Sequence, residues 1–152
     1  EYDYVTWDIP IKGATLRAEA AQNPGLMMRK KVYLTGNIIW ALVALLYPGD
    51  QEPYVQINIQ DINNFHFRAL ADPDSLLNPD LSKIRDENVR KEARKAREMI
   101  KAIYTPRMLA TAAEDLKLVA AELNLVTDKK LCFSRNSNLF RLFSFVRLQI
   151  EQ

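Results

Sequence analysis

Apolar and polar side chains alternate strictly at the start of the chain. Val5, Trp7, Ile9 and Ile11 share one parity, and Thr6, Asp8 and Pro10 the other. After Lys12-Gly13 the alternation resumes, with Ala14, Leu16, Ala18 and Ala20 against Thr15, Arg17 and Glu19. A period of two on both sides of a Lys-Gly pair predicts two strands joined by a tight turn, with Gly13 supplying a positive φ. Pro10 lacks the N–H a ladder needs, so the first strand is expected at a sheet edge. Asn23-Pro24-Gly25 reads as a turn, and Leu26 to Leu34 as a strand or a connector.

The longest apolar run, Ile38 to Tyr47, is closed by Pro48. Its ten residues make about 15 Å of helix, half the thickness of a bilayer, so no membrane span is expected. A helix apolar on every side belongs in the centre of a core, and Thr35-Gly36-Asn37 offers side chains to cap it. Tyr54 to Gln60 gives the cleanest strand signal, with Val55, Ile57 and Ile59 facing inward. Residues 61–81 are mixed, and Asp72-Pro73-Asp74-Ser75 marks a turn.

The texture then changes. The four glycines stand at 13, 25, 36 and 49, so the rest of the chain has none. Val89, Ala93, Ala96, Ile100 and Ile103 form one helical stripe; Asn78-Pro79-Asp80 or Ser82 is expected to cap its start. Thr105-Pro106 repeats the capping device, and Leu109, Ala112, Leu116, Val119 and Leu123 form a second stripe. Two helices so closely joined predict an antiparallel α-helical hairpin over about 82–125, its alanines allowing close approach. Leu131 to Gln152 fits a helical face (Leu139, Leu142, Phe143, Val146, Ile150) and also a strand. Its length without Gly or Pro favours the helix.

These elements predict an α+β fold: a helix-dominated single domain over 1–152, with a small antiparallel sheet from the N-terminal part. A strand-containing subregion, 1–72, and a helical subregion, 78–152, are read as parts of one domain, because neither is long enough for a core of its own. With 152 residues, 48% of them apolar, the chain can bury such a core. It begins at Glu1 rather than Met, so it is read as a processed or excised piece. No secretory leader pattern is visible. The single cysteine, Cys132, excludes an internal disulfide and fits a reducing, intracellular compartment, cytoplasmic or nuclear.

Composition also removes most catalytic chemistry. His66 and Cys132 are alone in their classes, too few for a zinc site, and no cofactor or metal is expected. Asp72-x-Asp74 lacks the glycine and closing Glu of a calcium loop. No glycine-rich phosphate loop occurs. Cys132, between Leu131 and Phe133, is expected to be a buried, inert thiol. A metal-dependent nuclease using His66 with Asp74 or Asp80 would also need a Glu-x-Lys on a strand, and the downstream Glu and Lys residues fall on helical pattern. The chain is therefore read as a non-enzyme with no catalytic residues.

Charge carries the functional expectation. The formal net charge is only +2, yet residues 1–81 hold 6 basic and 10 acidic side chains, and residues 82–104 hold 8 and 4. Residues 105–128 hold 2 and 4, and residues 129–152 hold 5 and 1. In the first stripe-bearing helix Arg90, Arg94, Arg97 and Lys101 step by 4, 3 and 4, about 100° round from the apolar stripe. Lys83 is read as extending that row, with Lys91 and Lys95 flanking it. Lys129, Lys130, Arg135, Arg141 and Arg147 add a second basic set, interleaved with Phe133, Phe140, Phe143 and Phe145. Rows of cations fit the phosphates of a nucleic acid, and nearby aromatics can stack on bases. The expectation is a nucleic-acid-associated assembly protein that also self-associates, its acidic front meeting the basic helix of another copy. The alternative is a protein–protein interaction module that docks an acidic partner and has no nucleic-acid role.

Overall fold

The computed structural model describes the backbone of residues 4–125 and 129–135 and, outside 4–11 and 26–27, their side chains. The apolar run becomes helix α3 (Asn37–Leu46), with Ala41, Leu42 and Val43 wholly buried. Gly36 is its N-cap, at φ 117°, and makes no side-chain cap bond. Only glycine adopts that backbone readily, so the cap is conformational rather than the side-chain cap expected from Thr35 or Asn37.

The N-terminal alternation does not form strands. Helix α1 spans Tyr4–Gln22, Pro10 lies within it, and the short helix α2 (Pro24–Met28) follows. Three of the eight apolar positions in the apparent alternation are alanines, which favour helix and disfavour strand, among other good helix formers from Leu16 to Gln22. Long-range packing fixes the outcome. Lys12 pairs with Asp115 at 3.0 Å and Arg17 with Glu122 at 2.5 Å, both on helix α7 (Pro106–Glu122). Gly13 is a close-approach residue, not a turn: a Cβ there would sit 3.3 Å from Glu122 Oε1 and 3.6 Å from Leu118.

The sheet comes from three separated segments: β1 (Lys31–Leu34), β2 (Tyr54–Ile57) and β3 (Lys130–Ser134). Their order is β1-β3-β2, with β3 parallel to β1 and antiparallel to β2, so the sheet is mixed rather than purely antiparallel. Residues 130–134 thus correct the helical reading of the last segment. Leu131 and Phe133 point into the core, and the ladders with β1 and β2 satisfy backbone groups that a helix would have satisfied locally. The stripe from Leu139 to Ile150 lies outside the described residues.

β2 ends three residues earlier than expected, because Asn58 starts a helix. Its side chain accepts from the Asp61 N–H (3.0 Å), while Asp61 Oδ2 accepts from the Asn58 N–H (2.8 Å), a reciprocal cap for α4 (Ile59–Ala71). Asp72 then caps the short α5 (Pro73–Leu77). Tyr47, at the end of α3, donates its hydroxyl to Asp61 Oδ1 at 2.5 Å, tying two helix ends together. That bond, with burial second, pushes the Tyr47 pKa from 10.0 up to about 12. The folded state therefore holds the proton more tightly than the unfolded chain. The resulting stability is complete below pH 10 and lost as the pH climbs towards about 12. Thermal melts at pH 9 and pH 11 are expected to separate wild type from Tyr47→Phe, with the variant losing less. Parallel losses would remove this role for the bond.

Helix α6 runs over Glu87–Ile103 and starts later than expected. Asp86 is its N-cap, accepting from the N–H groups of Asn88 (2.8 Å) and Val89 (3.1 Å), so residues 81–86 stand outside the helix. Thr105 caps α7 and Pro106 is its first residue, as the spacing predicts. The two helices follow each other closely, but they do not pack chiefly on one another. α7 lies against α4 and α1, whereas α6 lies against α3 and α5. One core cluster joins α3, α4, α7 and the inward side chains of β2 and β3, uniting both subregions in a helix-dominated α+β domain.

Candidate nucleic-acid interface

The 3.6-residue period of α6 buries Ala93 and Ile100 and turns its basic residues outward. Those residues are not equivalent. Arg90 is a clasp: Nε and Nη2 donate to the Ile84 carbonyl at 3.0 and 2.6 Å, and Nη1 to Glu87 at 2.9 Å. It anchors the irregular 81–86 segment to the first turn of the helix. Arg97 donates to Glu98 at 3.0 Å, and Lys101 donates to Asn78 Oδ1 at 2.5 Å. Arg94 is exposed and, with the flanking Lys91 and Lys95, has no partner among the described residues. Lys83 is exposed but sits in the segment before Asp86, so it does not continue the helical row as expected.

The second basic set divides in the same way. Arg135 closes the end of β3: Nε donates to the Glu52 carbonyl at 2.8 Å, Nη2 to the Asp50 carbonyl at 2.5 Å, and Asp50 Oδ1 lies at 3.5 Å. Lys130 is exposed at the start of β3, and Lys129 precedes it, half-buried. Phe133 is a core residue and no base platform. Arg141, Arg147, Phe140, Phe143 and Phe145 lie outside the described residues. Between α3 and α6 runs a groove of about 290 Å³, lined by Trp40, Ala44, Ala96 and Met99 together with Lys95 and Arg135.

The sheet adds residues that sequence reasoning passed over. Because β1 and β3 are parallel, Lys31 stands directly opposite Lys130, and the Lys130 N–H donates to the Lys30 carbonyl at 2.8 Å. Two basic runs a hundred positions apart, Arg29-Lys30-Lys31 and Lys129-Lys130, therefore meet at one end of the sheet. On the same outward face Tyr33 and Tyr54 are 53% and 50% exposed, their rings edge to face at 6.1 Å. Lys31 Nζ lies 5.0 Å from the Tyr33 ring centre, and a side-chain hydrogen bond with Tyr33 is the main cause raising its pKa. Cys132 is on this face too, half-buried rather than buried in the core as expected. Only the run Arg29-Lys30-Lys31 was visible in advance as a signal, and its partner depends on the ladder.

The remaining chemistry-bearing residues hold the fold. His66 Nε2 lies 2.6 Å from Glu114 Oε1, linking α4 to α7. Asp80 accepts from the Ser82 N–H at 2.9 Å, and hydrogen bonds from Ser82, its side chain first, hold that carboxyl below its ordinary pKa. No group of three His, Cys, Asp or Glu among the described residues is placed to hold a metal ion. No described helix is long and apolar enough to cross a membrane. No protein-family model, curated protein or solved structure matches the chain.

Proposed function

We propose that this protein is a non-enzymatic, nucleic-acid-associated assembly protein that engages phosphates through the outward face of α6 and associates with itself. The observation carrying this reading is the trio Lys91, Arg94 and Lys95, exposed on consecutive turns without a partner among the described residues. Side chains three and four apart on a helix stand roughly 5–6 Å from each other, a spacing suited to a chain of phosphates rather than to one small anion. The acidic balance of residues 1–81 against the basic balance of residues 82–104 supports head-to-tail association between copies.

The test is binding of a labelled oligonucleotide across a salt series, comparing wild type with the triple variant Lys91→Glu, Arg94→Glu, Lys95→Glu. Affinity at low salt is expected to fall at least tenfold, on the order of the charge effect, and the salt slope by about one per contact removed. Light scattering over the same salt series reads self-association, which is expected to weaken as salt rises. An unchanged slope in the variant removes α6 from the interface. A wild type that binds no oligonucleotide at low salt removes the reading altogether.

A further inference from the structure

A second surface carries a sharper ligand. In the β1–β3 ladder, Lys31 faces Lys130, and Arg29 lines the same hollow as Lys31 and Tyr33. Arg29 and Lys130 have no partner among the described residues. An anion bound there would supply one. Beyond this basic end, the same face presents Tyr33 and Tyr54, which meet across the central strand with half of each side chain exposed. Aromatic rings beside cations suit a ligand whose charge and flat π-surfaces alternate along one chain. A double helix shields its base faces, whereas a single strand offers them.

We propose that the outer face of the sheet binds single-stranded nucleic acid, phosphates on Arg29 and Lys130 and bases stacked on Tyr33 and Tyr54. The choice of occupant rests on the polyanion reading of α6; the residues do not. On this assignment α6 supplies general attraction, and the sheet supplies preference for unpaired bases.

The experiment measures binding of a labelled 12-nucleotide single strand, its abasic counterpart and a 12-base-pair duplex. Proteins compared are wild type, Tyr33→Ala/Tyr54→Ala, Tyr33→Phe/Tyr54→Phe, Arg29→Glu/Lys130→Glu and the α6 triple variant. Wild type is expected to favour the single strand over the abasic strand by tenfold or more, since stacking contributes about 1–3 kcal/mol per base, about 5- to 150-fold. The alanine pair is expected to erase this preference, and the phenylalanine pair to keep it. Cys132, the one cysteine, lies between these residues. Its alkylation is expected to slow several-fold when the single strand is bound and to be unaffected by free phosphate. Tyr33 and Tyr54 are exposed, so both pairs should melt close to wild type; the Phe pair and Cys132 protection keep the test valid if the Ala pair does not.

The outcomes separate. Loss of binding in the α6 variant, with the alanine pair and the Arg29/Lys130 pair within twofold of wild type, overturns the sheet site and leaves the α6 reading standing. Loss in the sheet variants alone supports the sheet and overturns α6. Equal affinity for the abasic strand, or displacement of the single strand by polyglutamate at equal charge concentration, overturns the proposal in favour of a simple anion or an acidic protein partner.

Discussion

Replacing Phe65 with alanine is expected to lower stability by about 3–5 kcal/mol, a large part of what a domain of this size has. Phe65 is fully buried on α4, in the cluster that joins α3, α4, α7 and β3. Deleting its ring forfeits the transfer energy of the side chain and leaves a cavity the helices cannot close without moving. In urea or heat the variant should unfold early, with a melting temperature lowered by about 10 °C or more. Phe65→Leu keeps most of the volume and should recover much of the loss. The contrast lies two residues away. Phe67 is 68% exposed, and Phe67→Ala should stay within about 0.5 kcal/mol of wild type. Comparable losses at 65 and 67 would mean that α4 presents a different face to the core.

That pair also shows why α4 went unread in the sequence. Phe65-His66-Phe67 looks like alternation, and Val55-x-Ile57-x-Ile59 runs into it with the same parity. The stop signal was nevertheless present: Asn58 and Asp61 stand three apart, the spacing of a reciprocal cap, and Ile62, Phe65 and Ala69 then step by 3 and 4. α3 and α7 were legible because their evidence is local, an unbroken apolar run in one and Thr-Pro followed by a stripe in the other. α1 was misread because alanine satisfies any apolar pattern while preferring only one backbone. β3 was misread for a different reason. Residues 130–134 become a strand through β1, about a hundred residues away along the chain, and β2, about eighty away, and no window along the sequence contains those partners.

The same distinction governs the candidate interface. The basic row on α6 was visible, since three and four are helical steps. Which of its members remain open to a ligand was not, because Arg90 is consumed by a backbone carbonyl outside the helix and Lys101 by Asn78. The meeting of Lys30 and Lys31 with Lys130 was hidden for the reason that β3 was hidden: it exists only in the parallel register.

Arg135→Ala is expected to lower stability by about 2–3 kcal/mol while leaving the salt slope of oligonucleotide binding unchanged. Its guanidinium already spends its fork on the carbonyls of Asp50 and Glu52, at 2.5 and 2.8 Å. The backbone doubles the link, with the Arg135 N–H donating to the Pro53 carbonyl at 3.0 Å. Together these fix the end of β3 to the segment entering β2. Removing the side chain leaves the partly buried Asp50 carbonyl short of a donor and the exposed Glu52 carbonyl to water, and a charge-assisted bond is the stronger kind to lose. Arg135→Lys should restore less than half of the deficit, because one ammonium cannot span both carbonyls in the plane a guanidinium reaches. Lys95, which lines the same groove as Arg135, provides the counter-case: Lys95→Ala should leave the melting temperature near wild type and reduce the slope by about one. If Arg135→Ala instead melted like wild type and lost slope, the guanidinium would be a phosphate ligand and the carbonyl clasp incidental. The fork that fits two phosphate oxygens also fits two backbone carbonyls, so an arginine in a basic sequence segment is assigned to one role or the other only by what already fills its donors.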